Sequence, residues 1–119
     1  MELDEFELTA QMKELATRYF PQFGNNLPVL KIKRTEDEKH GPAWLEVVAG
    51  VPANKRTGTI YIDDRVSSFR TKTTKILILH ELIHYGLYLK DGETRDIEGE
   101  QFDAELYRIK RLGAYVGLL

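Results

Sequence analysis

The run TTKILILHELIHYGLYL, Thr73 to Leu89, is the most apolar stretch of the chain and constrains its fold more than any other. Apolar residues on every side of a helical period require a helix covered by other elements. Yet this run carries two histidines and a glutamate in its middle, His80-Glu81-Leu82-Ile83-His84. Burying imidazole or carboxylate groups without partners costs roughly 1–3 kcal/mol each, so the segment needs a compensating arrangement.

Residues four apart share one face of a helix, one turn from each other. His80 and His84 can therefore converge on a single metal ion, supplying half of a tetrahedral zinc site. Glu81 projects about 100° from His80 at the helical period, so it can stand beside the ion without ligating it and take a proton from water there. Zinc lowers the pKa of bound water toward ~7, which is the chemistry of amide hydrolysis at neutral pH. The competing reading is a core helix with two satisfied histidines and Glu81 paired to Lys72 or Lys75. It is disfavoured because the chain has only three histidines and two of them fall here.

A catalytic zinc site needs a third protein ligand and an open fourth position. A metzincin would have Gly three residues and His six residues after His84, where this chain has Leu87 and Lys90. The remaining histidine, His40, lies in the charged segment TEDEKHGP and is expected to be solvated. Downstream carboxylates are better candidates: Asp96, Glu98, Glu100, Asp103 and Glu105 are available, and Glu98 shares a face with Phe102 and Glu105 at helical spacing.

The rest of the chain is built to cover that helix. Leu8, Met12, Leu15 and Tyr19 form an amphipathic stripe that Pro21 terminates. Segments 28–34, 43–49 and 59–64 read as three short strands, and GVPANKRTG (50–58) as a surface loop. The buried helix is expected to start at Ser68 or Thr71 and to stop at Gly92. A last helix over Asp96 to Leu112 would bury Phe102, Leu106 and Ile109. The expectation is an α+β fold, a single small domain over 1–119 with an N-terminal helix, an antiparallel three-stranded sheet, the HExxH helix and a C-terminal helix. With 119 residues and 42% hydrophobic content, one core is affordable and a second is not.

Charge and cysteine content bound the function classes. The net charge of −2 gives no global drive toward nucleic acid or anionic membrane. The middle segment, 28–75, has ten bases and six acids, against acidic flanks. Arg65, Arg70, Lys72 and Lys75 precede or open the HExxH helix, where cations oppose the macrodipole. A weak DNA contact through these four is one expectation, and an ordinary solvated loop is the other. The absence of cysteine excludes thiolate catalysis and cysteine-ligated zinc. The acidic, amphipathic N-terminus is not a signal peptide, and no apolar run reaches the roughly 18–20 residues that span a bilayer. A cytoplasmic protein without a membrane partner is expected.

The segment IYIDDRVSSFRTKTTKILILHELIHYGLYLKDGETRDIEGEQFDAEL resembles the core of the SprT-like metallopeptidases, relatives of the Spartan proteases and holders of a zincin-type domain. That family has a strand before a HExxH helix, then a loop, then a helix opening with a third ligand, followed by Gly and, four residues after the ligand, by Phe. The matching residues are Glu98-Gly99-Glu100-Gln101-Phe102, with Glu98 where the family has histidine. The resemblance spans about residues 43–112. It implies a zinc-dependent metallopeptidase acting on a protein or peptide substrate, with His80, His84 and Glu98 on Zn2+, Glu81 as the catalytic base and Glu105 as the other candidate ligand. It also implies that the strand Thr59 to Asp63 lines the cleft and offers its edge to an extended substrate. Tyr61 and Tyr85 are read as packing residues. The competing function is a non-catalytic zinc-stabilised module that binds protein or DNA.

Overall fold

The computed structural model describes residues 4–33, 41–65, 71–95 and 98–118. Helix α1 runs Glu5–Tyr19, with the Asp4 side chain accepting from the Glu7 N–H at 2.7 Å as its N-cap. Its expected stripe, Leu8, Met12, Leu15 and Tyr19, is buried. The Phe20 N–H closes the helix on the Ala16 carbonyl, and a short 3-10 turn at Pro21–Phe23 redirects the chain.

Three strands follow, β1 (Val29–Lys33), β2 (Ala43–Val47) and β3 (Gly58–Asp63). Their order is β1-β3-β2, with β1 parallel and β2 antiparallel to β3. The sheet is therefore mixed, not antiparallel throughout as expected. The most apolar strand takes the middle: Ile60 and Ile62 of β3 are fully buried, and Leu30 and Leu45 flank Ile60 in register. Lysine-bearing β1 is left at one edge, where cations discourage further pairing.

Helix α2, Thr71–Asp91, is the buried helix the sequence calls for. Ile78, Leu79, Leu82, Ile83 and Tyr85 are at most 1% exposed, packed among the sheet, α1 and α3 (Glu100–Arg111). It stops where expected, at Gly92, whose φ of +74° suits a residue without Cβ and whose N–H returns to the Tyr88 carbonyl at 2.8 Å. Helix α3 buries Phe102 and Ile109 but begins at Glu100 with Gly99 as its N-cap. Glu98 thus precedes the helix and does not sit on its face. Ser68, His40, Arg70 and Asp96 lie outside the described residues. Among those described, no helix is long and apolar enough to cross a membrane.

Candidate metal centre

One turn of α2 places the two imidazoles together, with the Nε2 atoms of His80 and His84 3.2 Å apart. The loop entering α3 brings the Glu98 Oε1 to 3.1 Å from His80 Nε2. One donor atom from each of the three residues lies within 4.8 Å of the others. A tetrahedral zinc ion with ligand bonds of about 2.0–2.2 Å separates its donors by about 3.3 Å, so two edges of the cluster already have a zinc-like length. A single His80 Nε2 has one in-plane position and cannot make a good hydrogen bond to both neighbours. Convergence of all three donors on one point is what a divalent ion satisfies, and two imidazoles with a carboxylate are a donor set that suits zinc.

Phe102 fixes the rings. Its centroid is 4.9 Å from that of His80 and 4.7 Å from that of His84, so one phenyl group packs on both. His84 is buried, whereas the His80 side chain is 34% exposed and that of Glu98 58%, which leaves the cluster open on the side of the α3 loop. Glu105 is not part of it: its carboxylate is taken by Arg108 at 2.7 and 3.3 Å. Glu98, not Glu105, is the residue that joins the histidines.

Glu81, 3% exposed, lines a cavity of about 220 Å³ with His84, Trp44 and Leu45 of β2, and Glu93, Thr94 and Arg95 of the loop after α2. The wall strand is β2. The expectation that β3 offers its edge is corrected, because β3 is paired on both sides. The Asp63 N–H donates to the Pro42 carbonyl, which fixes the ladder phase: Trp44 and Glu46 turn their backbone groups to β3, and Ala43, Leu45 and Val47 turn theirs outward. Leu45 therefore faces the cavity region with an outward N–H and C=O.

In the loop, Arg95 forks onto Glu93, Nε to Oε1 at 2.9 Å and Nη2 to Oε2 at 3.0 Å, while the Arg95 backbone N–H also reaches Oε1. Those hydrogen bonds from Arg95, above all, hold the Glu93 carboxyl down to about 2. Nothing in the sequence pattern singled out Trp44, Leu45, Glu93 or Arg95. Only their closeness in the fold does so.

Tyr85 and Tyr61 are packing residues here. The Tyr85 hydroxyl donates to Asn26, away from the cluster, and burial pushes it up to about 12; Tyr61 stacks on Trp44 at 5.2 Å. Of the four cations before and at the start of α2, Arg65 is held by the buried Asp63 at 2.8 Å, Arg70 is outside the described residues, and Lys72 and Lys75 occupy the first turns of α2.

Fold and site together define a small α+β protein in which two histidines of a HExxH helix meet a carboxylate from the segment entering α3. Compared with family models, curated proteins and solved structures, the chain finds no match in any of the three.

Proposed function

We propose that this protein is a zinc-dependent metallopeptidase of SprT-like type, acting on a protein or peptide chain in a reducing, cytoplasmic setting. The observation that carries the reading is the spacing of His80 Nε2, His84 Nε2 and Glu98 Oε1 beside a buried Glu81 that lines a cavity. His80, His84 and Glu98 would hold the metal. A zinc ion bound there would supply Lewis acidity for hydrolysis of an amide. Glu81 accepts the proton of the attacking water and delivers it to the departing amine, a general base and then a general acid in one position. Phe102 keeps the imidazoles aligned, and the apolar wall of Trp44 and Leu45 limits water around the carboxylate. The outward N–H and C=O of Leu45 suit an extended chain added along β2. A purely structural zinc site has four protein ligands and no need of a carboxylate like Glu81.

The test is zinc content and peptide cleavage, measured side by side on the full chain and two variants. Wild type should bind one zinc and cleave; Glu81→Gln should retain zinc and lose cleavage; Glu98→Ala should lose most of its zinc. Stoichiometric zinc with no cleavage of any unstructured protein would leave a binding module, and no zinc after reloading would return the cluster to packing.

A further inference from the structure

The loop beside Glu81 carries an unspent set of donors. Glu93 is largely engaged, because its two oxygens, with about four acceptor sites between them, take three hydrogen bonds from Arg95. Arg95 is not. A guanidinium has five N–H donors, and the fork uses only its Nε and one Nη2 hydrogen. Among the described residues no other acceptor meets the remaining three. The side chain is 72% exposed, yet the residue lines the same cavity as Glu81 and His84. The fork also orients the plane of the group in advance, which lowers the cost of using its free donors.

The size of the cavity narrows what those donors meet. About 220 Å³ is below the roughly 300–1,000 Å³ of sites that enclose a whole small molecule. It accommodates one side chain, or one chain end, of a polypeptide lying along β2. Trp44 and Leu45 give it an apolar wall suited to methylene groups, and Arg95, ion-paired to Glu93, gives it a guanidinium with N–H donors to spare.

We infer that Arg95 is a specificity-determining residue that receives a carboxylate of the bound polypeptide in the cavity beside Glu81, through the N–H donors its fork with Glu93 leaves free. The inference rests on the reading of this cavity as the substrate site. The carboxylate comes either from an acidic side chain or from the C-terminus of the bound chain. Both present the same planar acceptor pair to the guanidinium.

Trp44 is the sole tryptophan of the chain and lines this cavity, so its fluorescence reports occupancy directly. The experiment titrates three peptides of common sequence into the zinc-loaded full-length Glu81→Gln protein. One has an internal Glu and an amidated end, one an internal Gln and an amidated end, and one an internal Gln and a free C-terminus. One of the two carboxylate peptides should bind at least about tenfold more tightly than the neutral one, the scale of a charge-assisted hydrogen bond, and its identity names the source. Adding Arg95→Gln should bring the three within about twofold of each other. Adding Glu93→Gln should keep the preference, since the guanidinium stays and gains free donors; a merely structural role for the pair would make both changes act alike.

Equal binding of all three peptides before Arg95 is changed, no binding of any, or a preference that survives Arg95→Gln would each overturn the inference. Cleavage of the same peptides by wild type separates this from the hydrolase reading. Cleavage without carboxylate preference removes Arg95 and keeps the peptidase, whereas carboxylate-selective binding without cleavage keeps Arg95 and removes the peptidase.

Discussion

The three donors of the cluster are held on unequal terms. His84 is buried, but His80 and Glu98 are partly open to solvent, so their geometry depends on what packs behind them. Phe102 is the group that touches both imidazoles. Phe102→Ala keeps every donor and removes that support, and the expected result is a loss of zinc affinity of about 10–100-fold, the usual scale for residues behind metal ligands. Competition with a chromophoric chelator measures it. In the same assay Glu105→Ala should leave zinc affinity unchanged, because that carboxylate belongs to Arg108; a drop equal to that of Glu98→Ala would reassign the third ligand. The histidine pair was legible in the sequence because four-residue spacing is a property of one helix. Glu98 was legible only through its distance from Phe102, and it sits before α3 rather than on it. Arg95 and Trp44 had no local signature, since a cavity wall assembled from a strand and a distant loop exists only after folding.

Helix α2 is positioned by contacts outside the cluster. Arg56, in the loop before β3, donates through Nη1 to the Leu89 carbonyl at 3.1 Å and through Nε to the Val51 carbonyl at 3.0 Å, so it ties that loop to the C-terminal end of α2. Arg56→Ala should cost about 2 kcal/mol, the scale of hydrogen bonds to a charged donor, read as a lower urea midpoint with an unchanged slope. At the other contact, a Cβ on Gly58 would meet Val47 Cγ1 at 2.9 Å and the Tyr85 ring at 3.2 Å. Gly58→Ala should therefore destabilise by about 1–3 kcal/mol through overpacking between β3 and α2. Tyr85 adds a pH dependence. Its folded pKa, raised by burial from 10.0 to about 12, means the unfolded chain loses this proton first. Its contribution is complete below pH 10 and is lost as pH rises toward 12, with a slope of at most about 1.4 kcal/mol per pH unit. Thermal melts across that range check it, and Tyr85→Phe should remove this part of the slope. The existence of these helices and strands was legible from local periodicity. The mixed sheet was not, because alternation identifies a strand but says nothing of which neighbour it pairs with or in which direction, and β3 comes between β1 and β2 in the sheet though not in the chain.

Across the whole molecule, the core and the candidate metal cluster are separable. Leu8 and Met12 of α1, Ile60 and Ile62 of β3, and Leu79 and Leu82 of α2 are fully buried and pack against one another without any contribution from the cluster donors. Small metal domains that lack such a core unfold when the ion is removed. This chain should not. Chelation is expected to leave the far-ultraviolet circular dichroism spectrum intact while lowering the melting temperature, because a ligand that binds only the folded state stabilises it by about 4 kcal/mol at a thousandfold excess over its dissociation constant. The stabilisation should therefore grow with free zinc in wild type and be nearly absent in Glu98→Ala. It should persist in Glu81→Gln, in which all three donors remain. Unfolding of wild type by chelator alone would show that the cluster is structural, with α2 and α3 held together by the ion rather than by Phe102 and Ile109. A zinc-dependent shift that Glu98→Ala leaves untouched would place the ion elsewhere on the chain. The combination expected here, a folded metal-free protein with a tunable and Glu98-dependent shift, is what a site that can lose and regain its ion without unfolding requires.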